Sequence, residues 1–206
     1  VILEWEIYPD DDITKAEVQR RYDKYAREAD ATLLAVPCDS LNRAREKPIQ
    51  GHPNAPGPLR TESCVRGLPN LSEKDQVEVE RGNACADWSL DYAEKADNAG
   101  NLVMIENPSR SYLRRFQKSV ELVKRPNWKE IEYKVCNYFG ARCKSQWTAG
   151  NFEELENIRE PECVHLHDRD EWKPWFDVAA GRWVYPTKEE AEYTATLAFA
   201  YAIILS

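Results

Sequence analysis

Ala31-Thr32-Leu33-Leu34-Ala35-Val36-Pro37-Cys38-Asp39-Ser40 is the stretch that decides the fold. Its apolar run through Val36 predicts a strand buried on both faces, because a strand covered on one face only would alternate apolar and polar residues. Pro37 cannot extend such a ladder, so the chain turns there and presents Cys38 at the strand's carboxyl end. Asn101-Leu102-Val103-Met104-Ile105-Glu106-Asn107-Pro108 repeats the arrangement, with Glu106 at the tip. In open α/β sheets the carboxyl ends of the strands are where ligands and chemistry sit. A thiol on one tip and a carboxyl group on another make a nucleophile with a proton-handling partner.

Working outward, Val1 to Ile7 alternates enough to predict a strand, and Thr14 with Glu17 forms a capping box for a helix reaching about Ala29. Residues 46 to 70 are rich in proline and glycine and lack a period, which predicts a long loop of the kind used as a lid or left disordered. Ser72 with Asp75 starts a long helix that stops near Gly100. A helix through Arg110 to Val120 follows the Glu106 strand. Glu130 to Phe139 and Ser145 to Ala149 predict two further strands turning at Gly140, and Thr187 with Glu190 predicts the cap of a final helix. Alternating strands and helices predict a doubly wound, mostly parallel α/β sheet over residues 1–150. Residues 151–206 are expected to form an irregular segment and a C-terminal helix packed on the same domain.

The chain has 206 residues, 42% of them hydrophobic, with seven Trp and ten Tyr, enough for a sizeable core. A formal net charge of −8 opposes general attraction to nucleic acid, whose affinity rests on phosphate contacts. A nucleic-acid role would need a local patch, either Arg110, Arg114, Arg115 and Lys118 or Arg43, Arg45 and Lys47. A solvated polar face is the plainer origin of such runs. Six cysteines spread along a chain with long helical patterns predict reduced thiols and an intracellular compartment rather than a disulfide scaffold. The amino end does not read as a signal peptide, and Leu197 to Leu205 is too short to span a bilayer.

Taken together, these pieces resemble the cytosine-C5 DNA methyltransferase family, including divergent viral and mobile-element forms. Pro37-Cys38 looks like the nucleophile motif and Glu106-Asn107 like the glutamate motif. Glu4-Trp5-Glu6 is similar to the strand end that holds the ribose of S-adenosylmethionine, and Asp12-Ile13 to the segment contacting its adenine. Phe139-Gly140 with Arg142 and Lys144 resembles the later basic motif, and Tyr185-Pro186 is a fainter echo. The resemblance implies a Rossmann-like fold, S-adenosylmethionine as cofactor, DNA as partner and the nucleus as compartment. It implies Cys38, Glu106 and Arg142 as catalytic residues, and Glu4, Trp5 and Asp12 as cofactor contacts. A thiolate suits addition to carbon 6 of cytosine, and a protonated carboxyl group suits the ring edge.

The family's first strand and glycine-rich turn have no counterpart ahead of Glu4. The expectation is therefore either further residues upstream, or a partner or rearranged sheet filling the gap. Two other roles stay open. One is a non-catalytic scaffold or subunit that keeps this fold. The other is a metal-stabilised interaction module, with Cys163, His165 and His167 joined by Cys136 and Cys143. The spacing of those residues matches no common zinc signature, and the expectation is that no metal is bound and the histidines are ordinary surface groups. Cys38 could equally be a small buried hydrophobe, Glu106 a helix cap, and Trp172, Trp175, Phe176 and Trp183 a satellite core.

Overall fold

The computed structural model describes residues 11–158, 163–188 and 192–205. The predicted strand Val1 to Ile7, with Glu4 and Trp5, and the predicted cap residue Glu190 lie outside them.

Two short helices, α1 (Ala16–Asp23) and α2 (Tyr25–Glu28), lead into strand β1 (Ala31–Ala35). The long helix α3 (Glu73–Asn98) begins where Ser72 Oγ accepts the Asp75 backbone N–H, as the sequence predicts. Its buried residues Val79, Gly82, Ala86, Ser89, Ala93 and Ala96 recur at helical spacing and form one stripe, with Val79 and Gly82 against the 46–70 loop and Ala86, Ala93 and Ala96 in the core over the sheet. Strand β2 (Leu102–Pro108), helix α4 (Gln117–Val123) and strands β3 (Lys129–Lys134) and β4 (Ser145–Gly150) follow. A 3-10 turn over Tyr112–Arg115 occupies the first part of the predicted 110–120 helix.

The main sheet has four strands in the order β1-β2-β4-β3. The β1–β2 pairing is parallel and sets Ala35 opposite Glu106. The β2–β4 and β3–β4 pairings are antiparallel. Among the described residues the sheet is thus a mixed, open α/β sheet rather than a mostly parallel, doubly wound one. The reversal has a plain cause: β3 and β4 are joined by a short connection, which only an antiparallel pair can use.

Both faces are covered. Val103, Ile105, Trp147 and Ala149 pack with α1 to α4 on one side. Met104, Ile131 and Tyr133 pack on the other with helix α5 (Ala195–Ile204) and the turn carrying Leu155 and Ile158. The final helix starts later than predicted, because Thr194 rather than Thr187 caps it, accepting the Leu197 N–H. The predicted irregular stretch 151–183 contains β5 (Trp175–Asp177), which pairs with β6 (Arg182–Val184) in a small hairpin. Trp175 and Phe176 remain 41% and 48% exposed, so this hairpin is less covered than a satellite core would be.

The 46–70 loop is pinned at Arg60, while residues 50–54 ahead of it are exposed. Arg60 is 1% exposed in the middle of the 46–70 loop. Its guanidinium donates to the Ser40 carbonyl (2.8 Å), Ser40 Oγ (2.9 Å), the Val65 carbonyl (2.7 Å), Asn83 Oδ1 (2.8 Å) and the Val79 carbonyl (3.2 Å). Gly82 on α3 allows this close approach, since a Cβ there would lie 2.2 Å from Ser40 Oγ.

Candidate functional site

The β1 tip is built as a tight turn. The Cys38 carbonyl accepts the backbone N–H groups of Leu41 (3.0 Å) and Asn42 (2.8 Å) and the Asn42 side-chain amide (3.0 Å). Asn107 Nδ2, from β2, donates to the Val36 carbonyl at 2.6 Å and ties the two tips together. Strand alternation sends Asn107 to the helix-covered face and Glu106 to the face beneath α5.

Glu106 is 5% exposed and both its oxygens are engaged. Gln146 Nε2, from β4, donates to Oε1, and the Tyr193 hydroxyl donates to Oε2 at 2.7 Å. Burial pushes the Glu106 carboxyl above the usual carboxylate range, with the Tyr193 hydrogen bond and the Lys144 charge pulling the other way. Cys38 is partly exposed, and burial of its thiol pushes it up to about 11. Lys144 lowers it and the Glu106 charge raises it. Cys38, Glu106 and Lys144 thus share one electrostatic neighbourhood at the carboxyl ends of adjacent strands. The sequence predicted the first two as a pair. Gln146, Tyr193 and Lys144 complete the arrangement, and no motif announced Gln146 or Tyr193.

One buried acceptor beside Glu106, Gln146 Oε1, has no donor among the described residues, and a second, Asn107 Oδ1, lies on the opposite face of the sheet. The same cluster continues below Glu106 through Tyr133 and Tyr201, whose hydroxyls hydrogen-bond to each other.

The other predicted residues behave differently. Asp12 accepts from both the N–H (3.0 Å) and the hydroxyl (2.7 Å) of Thr14, and these bonds hold its carboxyl below the usual range. It closes a local turn ahead of α1. Arg142 Nε donates to the Glu171 carbonyl at 3.1 Å, which places this residue with the cysteine cluster described next. Most of the predicted basic patches are neutralised. Arg43 and Arg115 pair with Glu62, Arg45 with Asp75, Arg114 with Glu132, and Lys118 with Asp91 and Glu94.

A second constellation stands apart in kind. Cys136, Cys143, Cys163 and His167 bring their ligand atoms within 4.8 Å of one another. Alternate spacing on a strand would favour His165 together with Cys163, but this segment is irregular and His167 is the member of the set. His165 instead touches the edge of the cluster, with Nδ1 3.3 Å from Cys163 Sγ. The Cys163 thiol is held below its ordinary value by its contact with Cys136, then by His167, whereas burial raises Cys136. All six cysteines are free.

Comparison with protein-family models, curated proteins and solved structures found no match for this chain. No helix among the described residues is long and apolar enough to cross a membrane.

Proposed function

We propose that the Cys38–Glu106 crevice is a pyrimidine-ring site, and that the chain is a methyltransferase-like domain related in kind to cytosine-C5 DNA methyltransferases. One observation carries this reading. A cysteine and a buried carboxyl group whose pKa is raised by burial stand on neighbouring parallel strand tips, with the unpartnered acceptor Gln146 Oε1 beside the carboxyl group. A cytosine edge presents an exocyclic amino group that such an acceptor suits, and a protonated Glu106 can donate to the ring nitrogen. Cys38, once deprotonated, would add its sulfur to carbon 6 and make carbon 5 nucleophilic. Loss of the carbon-5 proton would later expel the thiolate and restore the double bond. S-adenosylmethionine would supply an electrophilic methyl group, and the resemblance assigns its contacts to Glu4, Trp5 and Asp12. The reading requires the base to be flipped out of a duplex.

A non-catalytic scaffold is favoured by different observations. Tyr193 and Gln146 already occupy Glu106, the Cys38 thiol is held protonated at neutral pH, and most of the basic side chains that would meet phosphates are ion-paired. Two measurements separate the readings. A duplex carrying 5-fluorocytosine, incubated with S-adenosylmethionine, should be trapped covalently by the wild type and not by Cys38→Ser. Calorimetric titration with S-adenosylhomocysteine should show binding. Absence of both the adduct and the heat leaves the scaffold reading, and an adduct that persists in Cys38→Ser removes Cys38 from the mechanism.

A further inference from the structure

Cys136 lies on the 3-10 turn that follows β3, Cys143 in the connection entering β4, and Cys163 and His167 on the irregular segment beyond Ile158. Three segments therefore converge their sulfur and imidazole atoms on one point. Cys136 Sγ and Cys163 Sγ are 3.2 Å apart, and Cys163 Sγ lies 3.2 Å from His167 Nε2. A tetrahedral zinc ion with bonds of about 2.3 Å to sulfur and about 2.0 Å to nitrogen sets its ligands roughly 3.5–3.8 Å apart. The observed spacings, from 3.2 Å to within 4.8 Å, bracket that tetrahedron, so small side-chain rotations close a shell around a single ion. Thiols are weak donors and weak acceptors, so three of them gain little from one another's company alone. A Cys136–Cys163 disulfide would engage two of the four groups and leave Cys143 and His167 unexplained.

The surroundings supply a second, independent observation. His167 turns Nε2 to the sulfurs while its Nδ1 faces Glu171 Oε2 at 3.7 Å. The other Glu171 oxygen accepts the Cys143 backbone N–H at 3.3 Å, and the Glu171 carbonyl accepts Arg142 Nε at 3.1 Å. A metal-binding histidine characteristically presents its second ring nitrogen to a carboxylate, which fixes tautomer and ring orientation. Glu171 does this while fastening the segment that carries Cys143.

We infer that Cys136, Cys143, Cys163 and His167 bind one zinc ion as a closed structural site, independently of any chemistry at Cys38. Four protein ligands leave no open position for substrate, and three thiolates with an imidazole favour zinc over harder divalent ions. The ion clamps residues 163–172 onto the β3–β4 connection. The clamp reaches further through Tyr138, on the same turn as Cys136. Its hydroxyl donates to the Ile158 carbonyl at 2.8 Å, and its own carbonyl accepts Thr194 Oγ1, the α5 cap, at 2.5 Å.

The test uses the full chain purified without added metal. Elemental analysis should find one zinc per chain. Cys143→Ser and His167→Ala should each lose most of it, while His165→Ala and Cys64→Ser should keep it. Exchange into cobalt(II) should give the intense visible bands of a tetrahedral ion together with sulfur-to-cobalt charge transfer. Should the ligand variants fail to fold, chelation of the wild type followed by hydrogen exchange replaces them, with protection expected to fall in 163–172 and in α5. Three results would overturn the inference: well under half an equivalent of zinc in the wild type, an intact mass lighter by a pair of hydrogens from a Cys136–Cys163 disulfide, or unaltered protection after complete metal removal.

Discussion

Two places in this molecule bring cysteine together with ionisable neighbours, and they do so in opposite ways. At the β1 tip a single thiol is pushed up to about 11, chiefly by burial, with Lys144 lowering it and the Glu106 charge adding to the rise. Burial raises the Glu106 pKa in turn, and Gln146 and Tyr193 hold its carboxyl group. Across the β3–β4 connection, three thiols and an imidazole crowd within 4.8 Å with a carboxylate behind them. In the first arrangement both oxygens of the acid are already engaged by side chains of the same chain. The second pairs weak sulfur donors and acceptors with one another, and the zinc ion inferred above would bind all four at once. A cysteine's surroundings, far more than its presence, separate latent chemistry from metal binding.

The largest expected effect comes from breaking the second region. Apparent zinc binding in small finger peptides reaches about 10 kcal/mol or more. Stripping zinc from the wild type should therefore lower the urea midpoint well beyond any single substitution at the crevice, and equal midpoints with and without chelator would erase the contrast.

Next is the anchor of the Cys38 loop. Arg60→Ala leaves buried acceptors at Ser40, Val65, Val79 and Asn83 without their donor, at a cost of about 3–5 kcal/mol by analogy with broken buried charge networks. Iodoacetamide should then reach Cys38 faster while zinc content stays at the wild-type level. A parallel loss of zinc would show the two regions to be one cooperative unit.

A smaller effect is expected at Tyr193. Tyr193→Phe removes a charge-assisted hydrogen bond worth about 1–3 kcal/mol and with it an influence that lowers the Glu106 pKa. The carboxyl should titrate at still higher pH, as followed by carbon NMR of labelled glutamate. A downward movement would mean that Tyr193 does not govern it.

The smallest effect lies in the pH dependence of stability. Because the folded-state pKa of Glu106 is raised, its contribution is complete below the ordinary value of 4.5 and is lost as pH rises through the raised one. Glu106→Gln has no proton to lose, so its stability relative to wild type should climb from about pH 4.5 upward. Asp75 and Asp97 have lowered values and act in the opposite direction, weakening both proteins alike in acid. Urea midpoints across pH that run parallel for the two proteins would show that Glu106 ionises normally.

Much of the scaffold was legible in the chain. The apolar runs ending at Val36 and Ile105 became β1 and β2, and Ser72 capped α3 as its local chemistry required. Other features misled for equally local reasons. Thr187 with Glu190 matches a capping box, whereas Thr194 lacks the acidic partner three residues on, yet Thr194 is the residue that caps α5. Strand-like alternation in 163–167 favoured His165, while the backbone there is irregular and turns His167 inward. Arg60 and Gly82 carried no motif at all, because their importance lies wholly in what the fold brings against them.

By itself the sequence determined which segments are buried strands, where the long helix begins, and which residues carry sulfur, carboxyl and imidazole groups, because these follow from short-range periodicity and side-chain chemistry. Only the tertiary structure decided the antiparallel insertion of β4, the capture of Glu106 by Gln146 and Tyr193, and the choice of Cys136, Cys143, Cys163 and His167 as one set. Those contacts join positions far apart along the chain. Their energies appear only after the sheet and its connections have closed, so no local pattern can encode them.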